Sequence, residues 1–379
     1  MSPALASALQ EALDAAVHGD PPVTGGVMQI ETPDFHWAGA AGMADPDLGD
    51  PLRPDDQFQA ASITKMITAA ALMMLVEDGR LGLDQGIGRH LPGSVLDGLH
   101  EGRHVASISP RQLLSHTSGV ADYFGDGLAD AGGRLPFVGL MLEEPDRLWG
   151  PLDLLDWTRR NLRPHVAPGQ GWHYADTGYV LAGLLIERLA GMPLHEVFRE
   201  RMFAPLGMAH TYMLHREPAR PVAPGRAVAR ASVGEVAYGT SRSVSADWGG
   251  GGLVTTAGDL SRFLRAFVAG AIFRRAATRT EMLRWIPTGE RGVQYGLGVR
   301  RFVLDQLGLP GMGELWGHTG FLKSFMLYWP ARDLTLCGTL NQSAAAGAFS
   351  RLRPAPALVP ATLVVLDRHL GGHSGGRAA

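Results

Sequence analysis

The residues best placed to do chemistry are Ser62 and Lys65, which are three positions apart in the sequence. The chain has only two lysines, and its other strongly basic positions are arginines. An arginine supplies charge but keeps its proton, whereas a lysine can give its proton up when it is removed from water. A lysine amine beside a serine hydroxyl is one way to activate the serine as a nucleophile.

An almost unbroken apolar run from Met66 to Val76 follows this pair. The run predicts a buried helix that ends near Asp78 and Gly79, with Ser62 at its N-terminus and Lys65 on the same face. Free backbone N–H groups and the positive end of the helix dipole would favour an oxyanion there. The more common meaning of an isolated S-x-x-K is an N-cap serine with a solvated lysine, so other motifs must decide.

Three further motifs follow in order: L-L-x-H-T-S-G at 113–119, Y-A-D at 174–176 and H-T-G at 318–320. Together with S-x-x-K at 62–65, they resemble the serine β-lactamase and penicillin-binding-protein superfamily, in which the later motifs read Y-x-N and K/H-T-G. The branch of this superfamily that the chain resembles contains class C β-lactamases, D-alanyl-D-alanine carboxypeptidases, D-aminopeptidases and family VIII esterases. The resemblance extends from about Pro22 to Gln342.

The resemblance implies an α/β fold of the β-lactamase/transpeptidase type, in which helices flank an antiparallel sheet and a mostly helical domain is inserted. The hydrophobic pattern agrees, because strand-like stretches lie towards both ends of the chain and helical ones between them. We therefore expect residues 1–80 and 239–370 to form one discontinuous α/β domain and residues 81–238 to form the inserted helical domain. Residues 371–379 are expected to form a flexible tail.

Local signals predict some individual elements. Strand-like residues 27–30 and 36–39 flank a turn signal and predict a hairpin. Apolar faces predict helices over residues 178–189 and 257–269. The H-T-S-G sequence at 116–119 looks catalytic, but its residue types are also those of a tight turn, which is the interpretation we prefer.

The resemblance implies that Ser62 attacks a carbonyl and forms an acyl-enzyme, and two routes for its proton remain open. Tyr174 could take the proton as a phenolate stabilised by Lys65, because an unperturbed tyrosine has a pKa of about 10 and needs such help. Alternatively, neutral Lys65 takes it and Tyr174 relays it to the leaving group. By resemblance His318 lines the cleft and assists electrostatically, with a purely structural hydrogen bond as the alternative.

The expected oxyanion hole consists of two backbone N–H groups, those of Ser62 and, by resemblance, Phe321. A bulky Phe321 should narrow the cleft or give it an apolar wall, which favours acyl groups with apolar substituents. Glycine allows close backbone approach and aromatic rings supply apolar area, so further substrate contacts are expected near such residues. These weaker candidates are Tyr123, Phe124, Trp248, Gly250, Thr319 and Gly320.

Asp176 is the main departure from the family pattern, which has Asn at this position. An ionised Asp only accepts hydrogen bonds and carries charge. Beside Lys65 it should favour the ammonium form and shift the role of base towards Tyr174. It should also repel a substrate carboxylate near the scissile bond. The alternative is an Asx turn after Tyr174 without catalytic consequence.

Composition limits the other possibilities. The net charge is −3 with interspersed signs, which gives no basic surface for nucleic acid. Cys337 is the only cysteine, so an internal disulfide is excluded. No metal-ligand spacing such as H-E-x-x-H occurs, and we expect neither a metal nor a cofactor. Without an apolar stretch of about 18 residues or a recognisable leader in the first twenty, the sequence predicts a cytoplasmic protein off the membrane, with a removed signal peptide as the alternative.

The function expected from these residues is that of a serine hydrolase acting on an ester or amide of a small substrate through acyl-Ser62. An amine or alcohol in place of water would make the same acyl-enzyme an acyltransferase in biosynthesis. A D-amino acid-specific peptidase, a DD-carboxypeptidase or a β-lactamase ranks after these, because Asp176 opposes a substrate carboxylate. A non-catalytic sensor or assembly protein on the same fold is a fourth possibility. Substrate identity and oligomeric state are left open.

Overall fold

The computed structural model describes residues 2–20, 22–100, 104–130, 134–233, 236–237, 239–343 and 358–370. The predicted tail, residues 371–379, lies outside the described residues. The α-helices of the described part are α1 (Pro3–His18), α2 (Thr64–Glu77), α3 (Gly93–Leu96), α4 (His104–Ser107), α5 (Pro110–Leu114), α6 (Pro136–Glu143), α7 (Pro151–Asn161), α8 (Asp176–Ala190), α9 (Leu194–Phe198), α10 (Trp248–Gly251), α11 (Ala257–Val268), α12 (Ala276–Met282) and α13 (Leu358–Leu370).

The strands form one large antiparallel sheet and two small sheets. The large sheet has the order β3-β2-β1-β14-β13-β12-β11-β10-β9, and the small ones have the orders β15-β6-β7 and β4-β8-β5. The strands are β1 (Gly25–Glu31), β2 (His36–Asp45), β3 (Asp50–Pro51), β4 (Phe58–Gln59), β5 (Tyr212–Met213), β6 (Ser232–Val233), β7 (Val236–Ala237), β8 (Leu253–Thr255), β9 (Ile286–Pro287), β10 (Val293–Tyr295), β11 (Arg300–Val303), β12 (Glu314–Thr319), β13 (Phe325–Trp329), β14 (Leu334–Thr339) and β15 (Gln342–Ser343).

The large sheet is covered on both faces, and its side chains alternate between two cores as a strand period of two requires. On β13, Phe325 and Leu327 pack with α1 and α13, whereas Met326 and Tyr328 belong to the core that contains α2, α8 and α11. Both faces of β13 and β14 are buried, which explains why these strands read as continuous apolar runs. Ser62 and Lys65 lie beside the core that contains α2, α8 and α11.

The expected fold class is confirmed: helices flank an antiparallel sheet. The predicted hairpin is formed by β1 and β2, closed by a hydrogen bond from the Thr32 N–H to the Phe35 carbonyl at 2.9 Å. The predicted helices are α2, α8 and α11, and α2 and α8 end at glycines with positive φ, Gly79 at 70° and Gly191 at 74°. The division into two domains stays a prediction, since β5 from the proposed insert pairs with β8.

Among the residues that the structure describes, none of the helices has the length and apolar character needed to cross a bilayer.

Candidate active site

Ser62 lies on a single 3-10 turn, Ala61–Ile63, directly before α2. Ala61 has a φ of 49°, a left-handed conformation that costs energy for a residue with a side chain. The Ser324 hydroxyl, which donates to the Ala60 carbonyl at 2.7 Å, holds the start of this turn against the sheet. Ser62 is consequently presented at the surface of the core with partial exposure, while Ala61 and Ile63 are buried.

Lys65 occupies the first turn of α2 and is completely buried. Its Nζ donates to Ser62 Oγ at 3.1 Å and to the Gly250 carbonyl at 2.8 Å, and it forms an ion pair with Asp176 Oδ1. Burial by itself would lower the pKa of Lys65, but the charge of Asp176 and the charge and hydrogen bond of Tyr174 outweigh it, and the pKa is raised. Lys65 is therefore an ammonium ion at neutral pH.

Gly250 is essential to this arrangement because its backbone approaches the ion pair closely. A Cβ at this position would lie 2.7 Å from Asp176 Oδ1 and 3.5 Å from Lys65 Nζ. The neighbouring Gly249 carbonyl accepts a hydrogen bond from the Thr68 hydroxyl of α2 at 2.7 Å. The sequence suggested close approach at Gly250, and the structure places that approach at Lys65 and Asp176.

Tyr174 lies just before α8, between two cations. The Nζ of Lys65 is 5.0 Å from the centre of its ring, and the guanidinium carbon of Arg300 is 5.1 Å from it. Arg300 is buried on β11 and donates to the Thr319 hydroxyl at 2.9 Å. Sequence reasoning missed Arg300. Its signal was the adjacent pair Arg300-Arg301, because one of two successive strand residues must face inward.

His318 is completely buried on β12, with both ring nitrogens engaged. Its Nδ1 lies 2.8 Å from the Thr319 carbonyl, which only accepts, so Nδ1 carries the proton and Nε2 accepts from the Tyr295 hydroxyl at 2.9 Å. Burial, followed by the positive charges of Arg300 and Lys65, holds the pKa of His318 well below its usual value. This geometry matches the structural alternative, and electrostatic assistance by His318 stays a prediction.

His116 has a larger part in the site than the turn interpretation gave it. The turn is present, with φ of 61° at His116 and 74° at Gly119. In addition, Nδ1 of His116 accepts the Ala175 N–H at 3.1 Å, and its ring packs on the Tyr174 ring with 4.2 Å between centres. Burial, followed by the charges of Lys65 and Arg300, holds the pKa of His116 well below its usual value. A neutral imidazole thus supports Tyr174 from behind.

A cleft opens in front of Ser62. Phe124 and Phe321 form one wall, with ring centres 5.7 Å apart and planes at 77°. Asp176 and Asp247 bring two carboxylates to the same cleft. Sequence reasoning missed Asp247, for which the sequence offers no signal. Among the described residues, those lining the cleft are Ala61, Ser62, Phe124, Asp176, Asp247, Gly251, Phe321 and Leu322.

Two of the weaker candidates for substrate contact lie elsewhere. Tyr123 is buried, with its hydroxyl donating to the Ala246 carbonyl at 2.7 Å, and it is not among the residues that line the cleft, whereas its neighbour Phe124 is. Trp248 is also buried, and its ring packs over Gly183 of α8. Both aromatic residues strengthen the core beneath the site.

The remaining candidates, Thr319 and Gly320, support the turn of Ser62. Thr319 is buried and accepts the hydrogen bond of Arg300. A Cβ on Gly320 would lie 2.1 Å from Ser324 Oγ and 2.7 Å from the Ala60 carbonyl, so this strand end can approach the nucleophile turn only without a side chain. The oxyanion role of the Ser62 and Phe321 N–H groups stays a prediction.

Comparison with protein families and known proteins agrees with these motifs. The family model described as Beta-lactamase matches residues 20–360, and the chain therefore belongs to the beta-lactamase family. It is 30% identical over 193 residues to penicillin-binding protein 4* of Bacillus subtilis, and the aligned part covers 51% of this chain and 38% of that protein. It is 34% identical over 189 residues to esterase EstB of Burkholderia gladioli, covering 49% and 45%. The matches thus span less than half the length of these two relatives.

Solved structures match over almost the full chain. A D-stereospecific amidohydrolase from Streptomyces sp. has a TM-score of 0.76 at 27% identity, covering 98% of this chain and 99% of that one. A D-amino acid amidase from Ochrobactrum anthropi SV3, complexed with D-phenylalanine, has a TM-score of 0.79 at 26% identity, covering 97% and 99%. The fold is therefore the β-lactamase/transpeptidase-like fold.

Proposed function

We propose that the protein is a serine hydrolase that cleaves an ester or amide of a small substrate through an acyl-Ser62 intermediate. The observation that carries the proposal is the contact of Lys65 Nζ with Ser62 Oγ at 3.1 Å, beside a cleft that Ser62 itself lines. The alternative, an N-cap serine followed by a solvated lysine, does not fit a lysine that is completely buried. The family match and the amidase and esterase relatives support the same chemistry.

Tyr174 is the base in this mechanism. Lys65 is held as an ammonium ion by its raised pKa, so it has no lone pair with which to accept the serine proton. As a donor it polarises Ser62 Oγ, and a phenolate on Tyr174 would lie between the positive charges of Lys65 and Arg300. The serine proton passes to the Tyr174 oxygen while Ser62 Oγ forms a bond to the substrate carbonyl carbon.

The charge that develops on the carbonyl oxygen is stabilised by the backbone N–H groups of Ser62 and Phe321. Collapse of the tetrahedral intermediate breaks the bond to the leaving nitrogen or oxygen, which takes the proton from Tyr174. Water then attacks the acyl-Ser62 ester, gives a proton to Tyr174, and releases the carboxylic acid. The proton returns to Ser62 Oγ, and the site is restored.

The cleft favours an amino acid derivative with a free amino group and an apolar side chain. Phe124 and Phe321 give the cleft an apolar wall against which an aromatic or aliphatic group can pack. Asp176 and Asp247 line the same cleft and attract an ammonium group while they repel a carboxylate. A solved relative named as a D-amino acid amidase is complexed with L-phenylalanine amide, which has an ammonium group and an apolar side chain and has no carboxylate. We therefore assign phenylalanine amide and similar amides or esters as the substrate class.

The test is hydrolysis of D- and L-phenylalanine amide compared with N-acetylphenylalanine amide and 3-phenylpropanamide, which have no ammonium group. The free amino amide should have the higher kcat/KM, and Asp247→Asn should reduce that advantage by about tenfold, as expected for one charge-assisted contact of about 1.5 kcal/mol. Ser62→Ala should abolish turnover of all four compounds. Equal rates for the amino and acetylated amides would contradict the substrate class, and unchanged turnover in Ser62→Ala would contradict the mechanism.

A further inference from the structure

Asp126, His165 and His173 form a cluster that the proposed reaction does not use. The Nε2 atoms of His165 and His173 lie 2.7 Å and 3.0 Å from the same oxygen, Asp126 Oδ2. The two imidazole rings are stacked, with 3.5 Å between their centres and 25° between their planes. Both rings thus point the same nitrogen at one carboxylate, from two positions of a single loop.

We infer that this cluster is a binding site for a divalent transition metal ion, with Zn²⁺ as the best-suited ion. Imidazole nitrogen and carboxylate oxygen are ligands that zinc accepts, and two histidines with one carboxylate make a three-ligand set that leaves a position open for water. Calcium and magnesium select oxygen ligands and are disfavoured by the two nitrogens. The three ligands follow none of the usual metal-binding spacings, which is why no metal was expected from the sequence.

The dimensions of the cluster fit such an ion. The three ligand atoms lie within 4.8 Å of one another. Around a tetrahedral zinc with bonds of about 2.0–2.1 Å, neighbouring ligand atoms are about 3.3 Å apart. The carboxylate oxygen has to retreat from the two nitrogens by only a few tenths of an ångström. The two rings, whose planes are now 25° apart, have to turn so that their Nε2 lone pairs converge on the ion. The ion would then replace two hydrogen bonds that crowd one oxygen, which also accepts the Asp122 N–H at 2.7 Å.

The ligands are both accessible and ready to bind. The side chains of His165, His173 and Asp126 are exposed by 41%, 24% and 16%, so an ion can enter from solvent. Asp126 Oδ2 already accepts hydrogen bonds from three directions, from the two histidine rings and from the Asp122 N–H, so this oxygen is oriented towards the position of the ion.

An ion here would brace one side of the candidate active site. Asp126 belongs to the turn that begins at Asp122, whose Oδ1 accepts the Asp176 N–H at 3.0 Å. His173 immediately precedes Tyr174, and its own N–H donates to the His116 carbonyl at 2.9 Å. Metal ligation would tie the Phe124 wall to the segment that carries Tyr174, a structural role that leaves the reacting atoms untouched.

The experiment uses the full chain after treatment with a chelator, titrated with ZnCl₂ in a calorimeter and with CoCl₂ in a visible spectrometer. We expect one Zn²⁺ per chain, a Co²⁺ spectrum of four-coordinate type, and a higher Tm in Zn²⁺ than in chelator. His165→Gln and His173→Gln should each weaken Zn²⁺ binding by at least about tenfold, the range seen when metal sites are perturbed. His18→Gln, an exposed histidine at the end of α1, is the matched control and should bind as the unaltered chain does.

The inference is overturned if the unaltered chain takes up no stoichiometric Zn²⁺, or if His165→Gln and His173→Gln bind it as well as His18→Gln does. The first result would mean that Asp126 only cross-links the two histidines by hydrogen bonds. Circular dichroism of each variant separates lost binding from lost folding, and the exposed position of His165 makes it the safer substitution. Ser62→Ala should bind Zn²⁺ normally, so the metal site and the proposed hydrolase activity are tested separately.

Discussion

Two carboxylate-centred clusters lie on either side of Tyr174 and differ in their access to solvent. On one side Asp176 pairs with Lys65, whose side chain is 0% exposed. On the other side, Asp126 holds two histidines that are exposed by 41% and 24%. Burial and mutual contact shield the inner pair from solvent, whereas ions in solution can reach the outer cluster.

The largest effect is expected for Lys65→Ala, which removes the cation of the inner pair. Acylation should fall by about 10²–10⁴-fold, because Tyr174 loses the cation that stabilises its phenolate, and a positioned proton-transfer group contributes about that much. The unfolding free energy should also fall by about 3–5 kcal/mol, since Asp176 is left without its buried partner. Acylation rates and urea unfolding check both effects. Lys323→Ala, which alters the only other lysine, is the control, and an equal loss there would contradict the account.

Asp176→Asn tests the charge of the inner pair while keeping its shape. Burial lowers the pKa of Lys65, and the charge and hydrogen bond of Asp176 act against it, so the pKa of Lys65 should be lower in this variant. Lys65 then loses its proton at a lower pH, so the alkaline limb of the kcat/KM profile should move to lower pH. The variant should also accept substrates with a carboxylate better than the unaltered chain does. Identical pH profiles and substrate rankings would dispose of this role for Asp176.

The buried His318 should make the protein less stable in acid. The pKa of His318 is well below its usual value in the folded chain, so below about pH 6.5 the unfolded chain binds a proton that the folded chain does not. The free energy of unfolding should therefore fall as the pH drops, by up to about 1.4 kcal/mol per pH unit for this histidine. The test is chemical unfolding between about pH 7 and pH 5, the range in which an ordinary histidine titrates. The free energy of unfolding should depend less on pH in His318→Gln than in the unaltered chain. Parallel pH dependences would refute the assignment.

The smallest effect is expected at the cleft wall. Phe321→Ala removes one ring of the aromatic pair and should reduce the preference for phenyl over methyl acyl groups by about threefold to tenfold, in line with about 0.5–1.5 kcal/mol for an aromatic pair. The ratio of kcat/KM values for two aryl esters measures it. Tyr123→Phe, which changes a neighbouring buried residue outside the cleft, should leave the ratio unchanged. A larger change for Tyr123→Phe would mean that the cleft is lined differently.

Motif order and hydrophobic periodicity were sufficient to predict the fold class and the residues that meet at Ser62. Lys65 was found because three residues along a helix is a local distance, and the resemblance supplied Tyr174 and Asp176. The helices α2 and α8 were predictable because their apolar runs end at glycines. These are properties that a short stretch of sequence carries by itself.

The missed residues depend on long-range packing. Arg300 reaches Tyr174 from a strand more than a hundred residues away in the chain, and Asp247 lines the cleft through a 3-10 segment without a periodic pattern. Tyr123 and Phe124 are adjacent, yet only Phe124 lines the cleft, because the Tyr123 hydroxyl bonds to the Ala246 carbonyl and the Phe124 ring packs on Phe321. His116 was taken as a turn residue because its contact with Tyr174 forms only in the folded chain.

The central claim, an acyl-enzyme at Ser62, is tested most directly by the mass of the intact protein after brief exposure to an aryl ester and to D-phenylalanine methyl ester. The account predicts a mass increase equal to one acyl group, located by peptide mapping at Ser62, lost again with time, and absent in Ser62→Ala. An adduct on any other residue, or one of equal yield in Ser62→Ala, would contradict it.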